Sequence, residues 1–332
     1  MAPPSATETI AQYDTSMTGS VKAKGEASIS GRPGFRYGAV PLKAAQTQAL
    51  NQVRIPIFDD LEDERAFRKL HHAAALRWLG ANGYNNEGAG GHVTVRDPIL
   101  TDHFWINPHA RSFSRITPED LCLVNDDGIV VGGNMHAISP AGYAIHAAVH
   151  RARPDVLAAV HCHSIPSKAF ASFGKKLDMI SQDACRFYDC HSVYEGFGGS
   201  ALDPREGINI AKALGQGKAV ILQNHGILAV GKTVDAAAFN FGALDRCIEA
   251  QLLADAAGGG RGWERIEVGH EEAEFTRNVY NDELEYVTFQ PAFEDVVANS
   301  NGQLTLTVGN EKYPDASLNS FGKSSNVIGT LK

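Results

Sequence analysis

The chain has 332 residues, 43% apolar and 20% charged, with 33 Gly and 14 Pro. That is the composition of a domain able to bury a core, and it excludes collagen-like, wholly disordered and disulfide-framework chains. Lys and Arg number 30 against 38 Asp and Glu, a formal net charge of −8, which leaves no basic footprint for nucleic acid; no run approaches the roughly 20 apolar residues that cross a bilayer. The N-terminus has neither a basic start nor an apolar stretch, and Cys122, Cys162, Cys185, Cys190 and Cys247 form no CxxC pair. A cytoplasmic protein with reduced thiols is expected, without nucleic-acid or membrane partners.

Residues 1–57 are rich in Ser, Thr, Gly, Pro and Ala, with too few large apolar side chains to offset the entropy of ordering, and are expected to form a partly disordered arm. From Asp59, Leu61, Phe67, Leu70, Ala74, Leu76 and Leu79 recur at helical spacing, with acidic residues in the first turn and Gly80 and Gly83 near the end. HVTVRDP, HFWINP and EDLCLVNDDGIVVGG predict short strands, with Asn125-Asp126-Asp127-Gly128 as a hairpin turn. SPAGYAIHAAVHRARPD predicts a helix ending near Pro154, VLAAVHCHS a buried strand, and SIPSKAFASFG a short helix. KAVILQNHGILAVG predicts a strand interrupted by Asn224-His225-Gly226, and the stretch from Thr233 a long helix stopped by Gly258, Gly259 and Gly260. Residues 58–260 would form a layered α/β domain, and 261–332 an extension with a charged helical piece near Glu271–Glu285 and a flexible tail.

The most informative motif is His161-Cys162-His163. Residues two apart on a strand share a face, so both imidazoles would enter one site while Cys162 points away. His225, in the polar break between two apolar runs, is the third candidate; its neighbours Asn224 and Gly226 allow a sharp turn. Three neutral imidazoles with an open position suit zinc, iron(II), manganese or cobalt rather than calcium or magnesium. His71, His72, His146 and His150, on predicted helices, are expected at the surface or core edge.

The run from Gly91-His92-Val93 through SPAGYAIHAAVHRARPDVLAAVHCHS to LQNHGILAVG resembles the class II aldolase/adducin domain family over about residues 60–255. The resemblance implies a three-layer α/β/α fold on a largely antiparallel sheet, a homotetramer, and a divalent ion, commonly zinc with iron(II) as the alternative, on His161, His163 and His225. It implies Lewis-acid chemistry on a small oxygenated substrate. In the phosphate-aldolase members a glutamate lies nineteen residues before the first of the paired histidines; here that position is Gly142. Without it another group must move protons, and Glu87, Asp183, Glu195, Tyr143 and Tyr194 are the candidates.

The family's phosphate-binding positions also differ, carrying His92, His109-Ala110 and Pro140-Ala141. The substrate expected is therefore unphosphorylated, a carboxylate-bearing or aromatic molecule paired by His92, His109 or Arg111. The leading expectation is a metal-dependent lyase performing aldol-type cleavage or decarboxylation. A non-haem iron(II) oxygenase cleaving the side chain of an aromatic hydroxy acid is the alternative, favoured by the lost glutamate, and an adducin-like interaction module is the third; epimerisation or dehydration complete the set.

Overall fold

The computed structural model describes residues 54–199, 203–308 and 311–313; the expected arm up to residue 53 and the tail from residue 314 lie outside them. Helix α1 (Leu61–Ala81) starts at Asp60, whose carboxylate accepts the backbone N–H groups of Glu62 at 2.7 Å and Asp63 at 3.2 Å. Acidic side chains in its first turn complement the positive end of the helix dipole. Strands β1 (His92–Arg96), β2 (Phe104–Ile106), β3 (Cys122–Val124) and β4 (Val130–Gly133) then run as an antiparallel meander. The Asn125–Gly128 turn is closed by the Gly128 N–H on the Asn125 carbonyl at 3.1 Å. Helix α2 (Pro140–Ala152), capped by Ser139, strand β5 (Ala158–Cys162) and helix α3 (Ile165–Ala171), capped by Ser164, form where the sequence predicts them.

Strand β6 (His191–Tyr194) and helix α4 (Pro204–Leu214) were not foreseen. The segment read as one interrupted strand is two: β7 (Ala219–Leu222) and β8 (Gly226–Gly231) pair antiparallel. Between them Asn224 adopts φ +58° and the His225 N–H returns to the Leu222 carbonyl at 2.9 Å, so the polar break is a reversal. Helix α5 (Val234–Arg261) runs through the three glycines expected to stop it and ends at Gly262, whose φ of +68° is the left-handed conformation a C-cap needs. Each helical glycine costs about 1 kcal/mol relative to alanine, and the last turn is closed by the Trp263 N–H on the Gly258 carbonyl at 3.1 Å.

The sheet order is β4-β3-β2-β1-β5-β8-β7-β6, antiparallel except for β6 with β7. Strand alternation splits its side chains between two layers. Val93, Val95, Val160, Cys162, Ile227 and Ala229 join the core under α1 and α5, together with Tyr286, Phe289 and Phe293 of α7 (Asp282–Ala298). Ala159, Val220, Leu222, Leu228 and Val230 pack with Ile145 and Val149 of α2 and Ile210 and Leu214 of α4. The architecture is three-layer α/β/α. In the C-terminal extension, α6 (His270–Val279) precedes α7, and β9 (Leu306–Val308) pairs antiparallel with β10 (Glu311–Tyr313). All five cysteines are free thiols. Among the described residues no helix is long and apolar enough to cross a membrane.

Candidate metal centre

Alternation on β5 gives His161 the face of Ala159, toward α2 and α4, while Cys162 enters the opposite core. His163 follows the strand end, and the β7–β8 turn brings in His225. One ring nitrogen from each of the three lies within 4.8 Å of the others, the one such group of metal-type ligands among the described residues. The ring centroids are 4.7 to 4.9 Å apart.

The orientation of His161 is set by β8: its Nδ1–H donates to the Ile227 carbonyl at 2.9 Å, which leaves Nε2 as a lone pair 3.0 Å from His163 Nε2. Two nitrogens bound about 2.1 Å from one ion at a tetrahedral angle stand roughly 3.4 Å apart, so this donor set fits a divalent ion with little movement. Burial lowers all three rings below the ordinary imidazole range, aided at His161 by the other histidines and at His163 by Lys168; His225 falls to about 4. Neutral rings are what ligation requires.

His92 completes the corner. From β1, paired opposite His161, its ring stacks on His161 with centroids 5.2 Å apart and planes at 21°. It also fills the space beside Gly142: a Cβ there would sit 2.4 Å from His92 Cδ2 and 2.9 Å from its Nε2. The imidazole and the glycine are one feature, since no side chain fits at 142 while His92 holds this place. Burial keeps His92 neutral, and His146 and the centre's own rings add to the shift.

The remaining candidates divide. Glu87 pairs with Lys168 at 2.5 Å at the rim beside His163, and Lys168 and His163 both hold its carboxyl below the usual range. Tyr194 donates to Glu206 at 2.8 Å. Tyr143 donates to the Asp126 carbonyl in the β3–β4 turn at 2.5 Å, and Asp183 pairs with Arg186 at 3.4 Å; Glu195 is exposed. His109 is exposed, and it is the smallest of the influences that lower His92. Arg111 pairs with Asp120 at 3.3 Å and lines, with Ser112, Arg115 and Gln303, a cleft of about 470 Å³.

Two residues escaped the sequence reading. Glu206, 9% exposed on α4, binds the Tyr194 hydroxyl and the Gly198 N–H, and its charge reaches His225. Phe197, 56% exposed, stands 6.5 Å from the His225 ring. Neither carries a motif, and α4 itself was not predicted. Contrary to expectation, His71, His72, His146 and His150 are all buried.

The fold is a three-layer α/β/α domain in which three histidines able to hold a metal ion converge at the end of the central strands. Residues 71–252 match the Class II Aldolase and Adducin N-terminal domain, and the chain belongs to that family. It is similar to the meiotically up-regulated gene 14 protein of Schizosaccharomyces pombe, 44% identical over 76% of this chain and 97% of that one. It is 40% identical to decarboxylase NovR of Streptomyces niveus over 76% of this chain and 92% of the relative. A protein named 4-hydroxy-3-prenylphenylpyruvate oxygenase/4-hydroxy-3-prenylbenzoate synthase, from Streptomyces roseochromogenus subsp. oscitans, is 45% identical over 61% of this chain and 74% of its own length. Among solved structures, L-fuculose 1-phosphate aldolase from Glaciozyma antarctica superposes with a TM-score of 0.69 at 37% identity, covering 78% of this chain and 98% of that one.

Proposed function

We propose that the protein is a divalent-metal lyase that decarboxylates a small unphosphorylated oxygenated acid with a carbonyl beta to its carboxyl group, so that the electron pair of the broken carbon–carbon bond is taken up as an enolate and carbon dioxide leaves. The observation that carries this reading is the His92 ring in the space beside Gly142. A site without a carboxylate there lacks the base that removes a hydroxyl proton in aldol cleavage, whereas loss of carbon dioxide needs no such removal. Bound at His161, His163 and His225, the ion would supply Lewis-acid polarisation of the substrate's adjacent oxygens. His92 would hold the substrate's anionic end, and Glu206 would steady Tyr194 at the mouth. The relative named a decarboxylase supports this reading.

A second reading, an iron(II) enzyme that uses dioxygen on an aromatic acid, is favoured by the relative named an oxygenase and by the exposed Phe197 beside His225. Both readings carry a homotetramer, to be measured by sedimentation. The deciding experiment is metal analysis of protein purified without added metal, then carbon dioxide release from 3-oxo acids and from aromatic 2-oxo and 2-hydroxy acids, each with and without dioxygen. Release under anaerobic conditions is expected. Release only with iron and dioxygen selects the second reading, and faster turnover of sugar phosphates than of any acid overturns both.

A further inference from the structure

Arg77 on α1 is 8% exposed, and no carboxylate pairs with it among the described residues. Its Nε donates to the Ile116 carbonyl at 2.7 Å and its Nη2 to Gln303 Oε1 at 2.8 Å, both neutral acceptors. Burial lowers the guanidinium below the ordinary arginine range, with the charge of Asp120 opposing. A buried charge with no opposite charge against it is costly.

Both acceptors lead to the cleft of about 470 Å³. Ile116 lies between Arg115 and Thr117, which line it together with Ala110, Arg111, Ser112 and Gln303. Asp120 is the acid at this place, and its oxygens are already engaged. Oδ2 accepts the Thr117 N–H at 2.9 Å and the Thr117 hydroxyl at 3.1 Å, and Oδ1 meets Arg111 Nη2 at 3.3 Å. Glu119, its neighbour, sets its charge against Lys69. Arg115 is exposed and its side chain has no partner among the described residues. Gln303 turns its oxygen to Arg77, which leaves its amide N–H groups to donate.

Arg77, Arg111 and Arg115 therefore surround one space with Asp120 as their counter-charge, in a chain whose net charge is −8. The local excess is positive, and the lining is rich in donors and poor in open acceptors. Oxygen anions complement such a lining, and arginine forks match the oxygens of carboxylate and phosphate groups. The volume falls within the roughly 300–1,000 Å³ of small-molecule sites.

We propose that this cleft binds a small-molecule dianion at a site separate from the histidine centre. Arg111 and Arg115 hold its charged oxygens, Gln303 donates beside them, and Arg77 fixes Gln303 while adding its own charge from behind. None of the lining residues belongs to the metal centre, and Gln303 brings the C-terminal extension into the site. The ligand is a doubly charged set of oxygens, carried by a phosphate ester or by a dicarboxylate. This inference is independent of the reaction assigned to the metal centre, and it gives Arg111 a different ligand from the substrate.

Isothermal titration calorimetry of the full metal-loaded chain at pH 8 and constant ionic strength tests it, with inorganic phosphate in one arm and succinate in the other. One site with a dissociation constant below about 1 mM is expected in at least one arm, and the tighter arm names the source of the oxygens. The double variant Arg111→Gln with Arg115→Gln changes two exposed side chains, and should weaken binding at least about tenfold. The affinity should be unchanged after a chelator has stripped the metal. Equal affinity in the double variant and the parent, loss of binding together with the metal, or no binding in either arm overturns the proposal.

Discussion

Two buried polar regions, both built around histidine, invite comparison. Between α1, α5 and α7, His71 Nδ1 meets Asp235 at 2.7 Å, Gln290 donates to the same carboxylate oxygen at 3.0 Å, and the ring stacks on Phe293 at 3.9 Å and 7°. At the end of β5, His161 donates to a backbone carbonyl and turns its other nitrogen toward two more imidazoles. His71 and His161 are both buried, while His163 and His225 are half-buried. In the first region the ring has a carboxylate and an aromatic face, and its role is to tie three helices together. In the second, three imidazoles converge with no carboxylate among them, a donor set that could hold a cation.

The comparison breaks most visibly if His161→Ala or His225→Ala keeps a full equivalent of metal. Metal content is expected to collapse and turnover to fall by roughly a thousandfold, matching the several kcal/mol of charge stabilisation a bound ion supplies. Acid should next separate packed rings from solvated ones. His72, His146 and His150 are held at about 3 by burial, whereas the unfolded chain has them near 6.5. The unfolded state binds more protons between these values, so stability is complete above about pH 6.5 and falls as pH drops toward 3. At about 1.4 kcal/mol per unit for each ring the three together cost roughly 4 kcal/mol per pH unit. Chemical denaturation between pH 7 and 4 should show that slope, and a flat profile would refute it.

Asp235→Ala should destabilise by roughly 3 kcal/mol, because it strands His71 and Gln290, yet leave the metal content whole. Metal loss without destabilisation would mean the two regions are not separate. Gly142→Ala forces a methyl onto the His92 ring and should cost about 2 kcal/mol. In combination with His92→Ala most of that cost should vanish, a coupling that a double-mutant cycle measures in thermal melts. The smallest effect is Asp183→Asn, expected to move stability by less than about 0.5 kcal/mol and turnover not at all. A large loss of activity would return that residue to the site.

The central part of this design was legible in the chain because it is local. The two-residue spacing of His161 and His163, with Cys162 facing away, follows from strand alternation, and Asn224-His225-Gly226 announces a bend wherever it occurs. What could not be read depends on contacts across long separations. Nothing near His92 says that it will occupy the space of residue 142, and nothing near Glu206 says that it will be buried against Tyr194. The turn at Asn224 was visible but its consequence was not: whether a polar break interrupts a strand or reverses it depends on the partner strands available. Helix positions gave His146 and His150 no hint of burial, which comes from Thr94 on β1.

Strand β8 pairs with β5 on one side and β7 on the other. It supplies both the carbonyl that aims His161 and the bend that carries His225. A slip of one residue along β5 would exchange its two faces and dismantle the ligand set in the same movement. A cation held there would join β5 to the β7–β8 turn like a bolt through the middle of the sheet.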